Sequence, residues 1–258
     1  MNVLITMLCG LHSGAKNKLR LNMRLFPSVI VLAAVAILQP GLTRLTAAEQ
    51  DGVALAIVYD TSGSMRDPVR DATGRLSPKF VIANRALMTI ARQIQAFATN
   101  NSSGTPLRID AGLFIFGGDN ATAVVKFGPF DADAIQSWAG GFSNPSGGTP
   151  LGNALKTASR TVLGSPLPRK HVLVITDGMN TIGPQPARVI PELNREAERK
   201  QTSLFIHFVA FDVGAGVFDP VKKLGATVVA AADEKQLNAQ LDFMLKNEIL
   251  LEKPEPRK

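Results

Sequence analysis

Seven consecutive apolar residues, Val53-Ala-Leu-Ala-Ile-Val-Tyr59, run straight into Asp60-Thr-Ser-Gly-Ser64. A strand that is apolar at every position has to be covered on both faces, as in a parallel sheet with helices above and below. The polar residues that follow then emerge at the carboxyl edge of that sheet. This junction sets the expectation for the whole chain.

Downstream, short apolar runs alternate with amphipathic segments. Ser77-Pro78 has the form of a helix N-cap followed by Pro at the first helical position. Phe80, Ala83, Leu87, Ile90, Ile94 and Phe97 recur at steps of three and four and mark one helical face. Strands are expected at Leu107 to Phe116, Ala121 to Phe127, His171 to Thr176, Ser203 to Phe211 and Thr227 to Ala230. The second of these follows the Gly117-Gly-Asp-Asn120 turn and is expected as an antiparallel edge partner. Helices are expected at Asp131 to Trp138, Pro150 to Val162, Arg188 to Lys200 and Val217 to Leu224. A last helix, capped by Asp233, buries Leu237, Leu241, Met244 and Leu245. Such alternation gives an α/β three-layer sandwich around a mostly parallel sheet, with crossovers placing helices on both faces. Ligands bind such sheets at the carboxyl ends of their strands.

The formal charge of +7 comes largely from the N-terminal segment. Five of the 28 basic residues lie in residues 1–48 and no acid does, which leaves 23 basic against 21 acidic residues. A near-neutral body gives no footprint for nucleic acid. Cys9 is the single cysteine, so the body offers no disulfide and no thiolate ligand. Arg24, the apolar stretch Leu25 to Leu38 and then Thr46-Ala47-Ala48 form a secretory signal, with cleavage expected after Ala48. Met23 is a more ordinary start for that signal than Met1. The alternative is an uncleaved anchor over residues 25–42. Either way the body, 49–250, is exported, to a periplasm or beyond, and residues 251–258 form a charged tail.

The chemistry concentrates at three places. Asp60-Thr-Ser-Gly-Ser64 follows the first buried strand. Asp177-Gly178 follows the strand His171 to Thr176. Between them Ser143-Asn-Pro-Ser-Gly-Gly-Thr149 delivers a hydroxyl at a helix start. Asp60, Ser62, Ser64, Thr149 and Asp177 supply two carboxylates and three hydroxyls, all hard oxygen donors. That set suits a divalent cation, Mg²⁺ above all, with Mn²⁺ or Ca²⁺ as alternatives. Two carboxylates balance the ion's charge without repelling an incoming acid.

These three elements, in this order, resemble the metal-ion-dependent adhesion site of the von Willebrand factor A-type domain, over Val53 to about Lys246. The resemblance implies a six-stranded sheet flanked by helices. It implies Ser62, Ser64 and Thr149 as hydroxyl ligands, with Asp60 and Asp177 close to the ion, often through water. It also implies a protein partner that presents an Asp or Glu, and no catalysis. The stretch Met65 to Ser77 is longer than the usual link in that family and carries Arg66, Asp67, Arg70, Asp71 and Arg75. It is expected to border the site, with Arg66 and Asp67 as candidate partner contacts, and with Asn180 and Thr181 either as further partner contacts or as supports behind the ligands.

Competing readings are weaker. A Mg²⁺-dependent phosphatase using Asp60 as nucleophile lacks the usual acid two residues on, where Ser62 stands, and no basic residue is evident at the other strand ends. A serine hydrolase lacks a Gly-x-Ser-x-Gly stretch. His207 reads as a buried core histidine and His171 as an exposed strand start. Thr149 could instead serve as a helix cap. Gly214-Ala-Gly216 has Asp219 where a dinucleotide loop needs its third glycine, so nucleotide binding is not expected.

Overall fold

The computed structural model describes residues 51–99 and 107–251. The expected signal or anchor and the residues of the charged tail beyond Leu251 lie outside them. β1 (Gly52–Tyr59) is buried along its whole length. β2 (Pro68–Arg70) and β3 (Leu76–Pro78) form a small antiparallel ribbon before α1 (Lys79–Thr99). β4 (Arg108–Gly117) turns into β5 (Asn120–Pro129), and α2 (Ala132–Gly141) and α3 (Leu151–Leu163) follow. β6 (Arg169–Thr176), α4 (Pro186–Arg199), β7 (Phe205–Phe211), α5 (Asp219–Lys222), β8 (Thr227–Ala231) and α6 (Glu234–Phe243) follow, and α6 runs on into a π-helical stretch over Met244–Leu250.

The sheet has six strands in the order β5-β4-β1-β6-β7-β8. All neighbours are parallel except β4 and β5. The fold is therefore the expected three-layer sandwich with one antiparallel edge strand. From β1 the chain first crosses to β4 on one side, then returns to β6 on the other. The crevice outside the carboxyl ends of β1 and β6 is thus the point where strand order reverses, the usual ligand position in open α/β sheets.

Side chains of β1 alternate between two cores. Val53, Leu55, Ile57 and Tyr59 pack with the buried faces of α1, α2 and α6. Ala54, Ala56 and Val58 pack with α3, α4 and α5. The α1 stripe is as expected, with Ala83, Leu87, Ile90 and Ile94 buried and Phe80 and Phe97 packed against them. Gly152 lets α3 approach the chain before α4, because a Cβ there would collide with the carbonyl of Pro184.

Several local expectations need correction. Ser77 and Pro78 do not start a helix. They pair with Val69 and Pro68 in the ribbon, and α1 begins one residue later. Tertiary pairing there overrides the cap signal. Val217 to Leu224 is split into a 3-10 turn over Ala215–Phe218 and the short α5. His171 is fully buried rather than exposed, because β6 starts two residues earlier than expected. Its ring stacks on His207 at a centroid distance of 5.4 Å, and its Nδ1 lies 3.1 Å from His207 Nε2. His207 is the expected core histidine, 2% exposed.

Burial first, and then the neighbouring His171, push His207 down to about 3, so its ring resists taking up a proton in the folded chain. In the unfolded chain that imidazole takes up a proton below about pH 6.5, which the folded state resists. Its contribution to stability is thus complete above that value and is lost as pH falls. Between pH 7 and pH 5 the wild type should lose about 2 kcal/mol more than a His207→Phe variant, measured by denaturant unfolding. Gly152→Ala should destabilise the fold by about 1–3 kcal/mol in the same assay, since the new methyl meets backbone rather than a movable side chain.

Candidate metal centre at the carboxyl edge of the sheet

Asp60 continues the β1–β6 ladder by one step, its N–H donating to the Ile175 carbonyl at 3.0 Å. The chain then turns through Thr61, whose hydroxyl donates to the Phe116 carbonyl at 3.3 Å, into a 3-10 turn over Gly63–Arg66. The Asp60 carboxylate is fully buried and both its oxygens are engaged. Oδ1 accepts from the Ser62 N–H at 2.8 Å, and Oδ2 accepts from the Thr176 hydroxyl at 2.6 Å. Burial pushes its carboxyl up to about 6, against the lowering effect of the bonds from Ser62 and Thr176.

The loop carrying Thr149 is docked alongside this turn. Ser146 N–H donates to the Thr61 carbonyl at 2.7 Å, and Gly63 N–H donates to the Gly147 carbonyl at 3.0 Å. Gly147 holds φ at +81°, a left-handed conformation that glycine adopts without strain. From below, Tyr59 donates to Asn84 Oδ1 at 2.7 Å, and Asn84 Nδ2 donates to the Phe142 carbonyl where the loop leaves α2. The rings of Tyr59, Trp138 and Phe142 pack edge-on and stacked around this joint.

These braces bring the oxygens together. Ser62 Oγ lies 3.1 Å from Ser64 Oγ, and Ser64 Oγ donates to Asp177 Oδ1 at 2.8 Å. A Cβ placed on Gly178 would stand 3.9 Å from Ser64 Oγ and 4.0 Å from Thr149 Oγ1, so both hydroxyls flank the same point. Thr149 is not the cap of α3. That position falls on Pro150, which makes no side-chain cap bond. Ser64 is exposed, whereas Asp60, Ser62, Thr149 and Asp177 are buried, so the cluster opens to solvent at Ser64. The donors are carboxylate and hydroxyl oxygens, which fit a hard dication. Among the described residues no group of three or more His, Cys, Asp or Glu side chains could hold a metal, so hydroxyls are essential to this donor set.

The flanking residues fall differently. Asn180 Oδ1 accepts from Gly152 N–H at 3.1 Å, and Thr181 Oγ1 accepts from Thr149 N–H at 2.8 Å. Both therefore brace the Thr149 segment. Arg66 is exposed and donates to Asn144 Oδ1 at 2.9 Å across the rim, and Asp67 is exposed beside it. The charged stretch Met65 to Ser77 folds back as the β2–β3 ribbon. Asp71 accepts from its own turn, at Thr73 and Arg75. Glu234 ties the ribbon down, accepting from Ala72 N–H at 2.8 Å and from both arms of the Arg85 guanidinium.

A basic residue does stand at the strand ends, contrary to expectation. Lys79 Nζ lies 3.1 Å from Asp177 Oδ2, 3.1 Å from Asp212 Oδ2 and 4.0 Å from Asp67 Oδ2. Burial lowers the ammonium's pKa, but the bonds and charges of Asp177 and Asp212 outweigh it and hold the group above the usual lysine value. Lys79, Thr176 and Asp212 were not expected at the site. The available signal for Lys79 was a cation in the first turn of an apolar-faced helix, where the helix dipole disfavours it unless carboxylates are near. Asp212 ends a buried strand, as Asp60 and Asp177 do.

Residues 55–180 match the family model of the von Willebrand factor type A domain. No curated protein matches the chain. Among solved structures it is similar to the PilB minor pilin of Streptococcus sanguinis, with TM-score 0.58 and 16% identity over 76% of this chain. This chain spans 61% of that pilin's length. It is also similar to the vWF domain of the type V pili tip protein Mfa5 of Porphyromonas gingivalis, at TM-score 0.53, 13% identity, and 76% and 94% coverage of the two chains. A third is proximal thread matrix protein 1 of the mussel byssus with a zinc-occupied MIDAS motif, at TM-score 0.53, 12% identity, and 76% and 48% coverage. At these identities the likeness is one of fold. The mostly parallel six-stranded sheet with its single antiparallel strand, clasped by helices on both sides, is the Rossmann-like fold of a von Willebrand factor A-type domain.

Proposed function

We propose that this chain is a metal-dependent protein-binding module of the adhesion or assembly type. Asp60, Ser62, Ser64, Thr149 and Asp177 hold a divalent cation, Mg²⁺ by preference, with Mn²⁺ or Ca²⁺ as substitutes. A partner protein supplies an exposed Asp or Glu that completes the coordination. The observation that carries this reading is the convergence of the Ser62, Ser64 and Thr149 hydroxyls with Asp177 beside Gly178, at the one exposed edge of a buried cluster. Minor pilin, pili tip and byssus matrix proteins among the structural neighbours support a role in attachment or assembly. The N-terminal apolar segment supports export to a periplasm or to the exterior.

A bound dication here supplies charge, and the chain's own residues supply its position. Thr176 and Ser62 fix the Asp60 carboxylate from behind. Asn180 and Thr181 fix the Thr149 segment. The same fixation weighs against Asp60 as a phosphatase nucleophile, because its carboxylate has no exposure and each oxygen is already held by one hydrogen bond. Arg66 and Asp67 border the rim and are positioned to select among partners.

By mass action, saturating Mg²⁺ or Mn²⁺ should raise the Tm of the purified protein by several degrees, and EDTA should reverse the shift. Asp60→Ala should remove that response, and identical metal responses in both proteins would rule the site out. Pull-down from an extract of the source cells should recover a partner that EDTA releases. Asp60→Ala should fail to recover it.

A further inference from the structure

We propose that Lys79 is a resident monocation that opposes the divalent ion at this centre and thereby sets its metal affinity. The inference rests on the metal-binding reading above and concerns how that site is controlled. The Asp177 side chain has no exposure to solvent, and it divides its two oxygens between neighbours. Oδ1 accepts from Ser64 Oγ, on the side of the candidate ligands. Oδ2 takes the Lys79 ammonium at 3.1 Å. A carboxylate without solvent needs a countercharge, and here the protein provides one of its own.

The Lys79 side chain is itself only 7% exposed, so little water screens its charge from one placed beside Asp177. A dication drawn to the Ser64 side of that carboxylate meets this positive charge across a single side chain. The repulsion subtracts from what the oxygen set alone would give. Asp212 is the counterpart that makes the arrangement workable. Its carboxylate is 40% exposed and lies at the same 3.1 Å from Lys79 Nζ, so the ammonium remains paired when Asp177 gives part of its charge to an ion. Asp212 holds φ at +55°, a left-handed backbone that aspartate, like asparagine, adopts more readily than most residues. Its N–H is anchored to the Ala231 carbonyl at 2.7 Å. A partner's carboxylate adds the negative charge that Lys79 cancels, so metal and partner reinforce each other's binding.

The test is calorimetric titration of the full chain with Mn²⁺ alone, together with thermal unfolding in EDTA and in saturating Mn²⁺. Lys79→Met should bind Mn²⁺ at least about tenfold more tightly than wild type. It should melt lower than wild type in EDTA, and Mn²⁺ should narrow that gap. Lys79→Gln keeps a hydrogen-bond donor without the charge and should show the same gain in affinity if the methionine variant does not fold without metal. Equal or weaker Mn²⁺ binding in a folded charge-free variant overturns the proposal, as does failure of both variants to fold even in Mn²⁺. Mn²⁺ binding by wild type with no gain in the variants overturns this inference and leaves the metal site standing. Silence in wild type and in both variants overturns the two together. Binding by the variants where wild type shows none supports both.

Discussion

Burial of β1 on both faces is the constraint from which the rest follows. A strand with no solvent-facing side must lie in the middle of a sheet, between two helical layers. Its last residue then reaches the rim at the reversal of strand order, beside the end of β6. Asp60 is therefore a carboxylate at the edge of the molecule that nevertheless has no exposure. Its charge is kept in place by an amide and a hydroxyl rather than by water. Everything gathered around it, the Ser62–Ser64 turn, the Thr149 loop and Asp177, is delivered by segments leaving the same edge.

The electrostatics of that edge are more balanced than its acids alone imply. Asp60, Asp177 and Asp212 are strand-end carboxylates, and Lys79 supplies a cation among them. A helix N-terminus ordinarily prefers negative charge. Placing an ammonium there is tolerable because two carboxylates lie at hydrogen-bond distance. The arrangement lets an acidic cluster persist at this edge of the folded chain.

Much of this was legible in the sequence for physical reasons. Apolar periodicity located the α1 face and each sheet strand to within a few residues, because burial imposes the period. Asp60, Ser62, Ser64, Thr149 and Asp177 could be singled out because they follow buried strands or precede a helix at one edge of the sheet, and the structure brings the Ser62, Ser64, Thr149 and Asp177 side chains close together there. The β2–β3 ribbon was not legible, since Ser77-Pro78 carries a cap signal that pairing with Pro68 and Val69 overrides. The burial of His171 was hidden by a strand that begins with Arg169 and Lys170, whose charges read as a boundary. Lys79 was missed because its partners are distant in sequence, 98 residues away for Asp177. For Asn180 and Thr181 the sequence left open support behind the ligands or contact with a partner, and their bonds to Gly152 N–H and Thr149 N–H favour support.

The two faces of the central strand also differ in bulk. Toward α1, α2 and α6 it presents Val53, Leu55, Ile57 and Tyr59, while toward α3, α4 and α5 it presents Ala54, Ala56 and Val58. Close packing makes both added and missing volume costly, but a position near its minimum size has little left to remove. Sequence drift in this strand is therefore asymmetric. One side of the sheet is vulnerable chiefly to truncation and the other chiefly to growth, and the helix that follows Thr149 rests on the side with no room to spare.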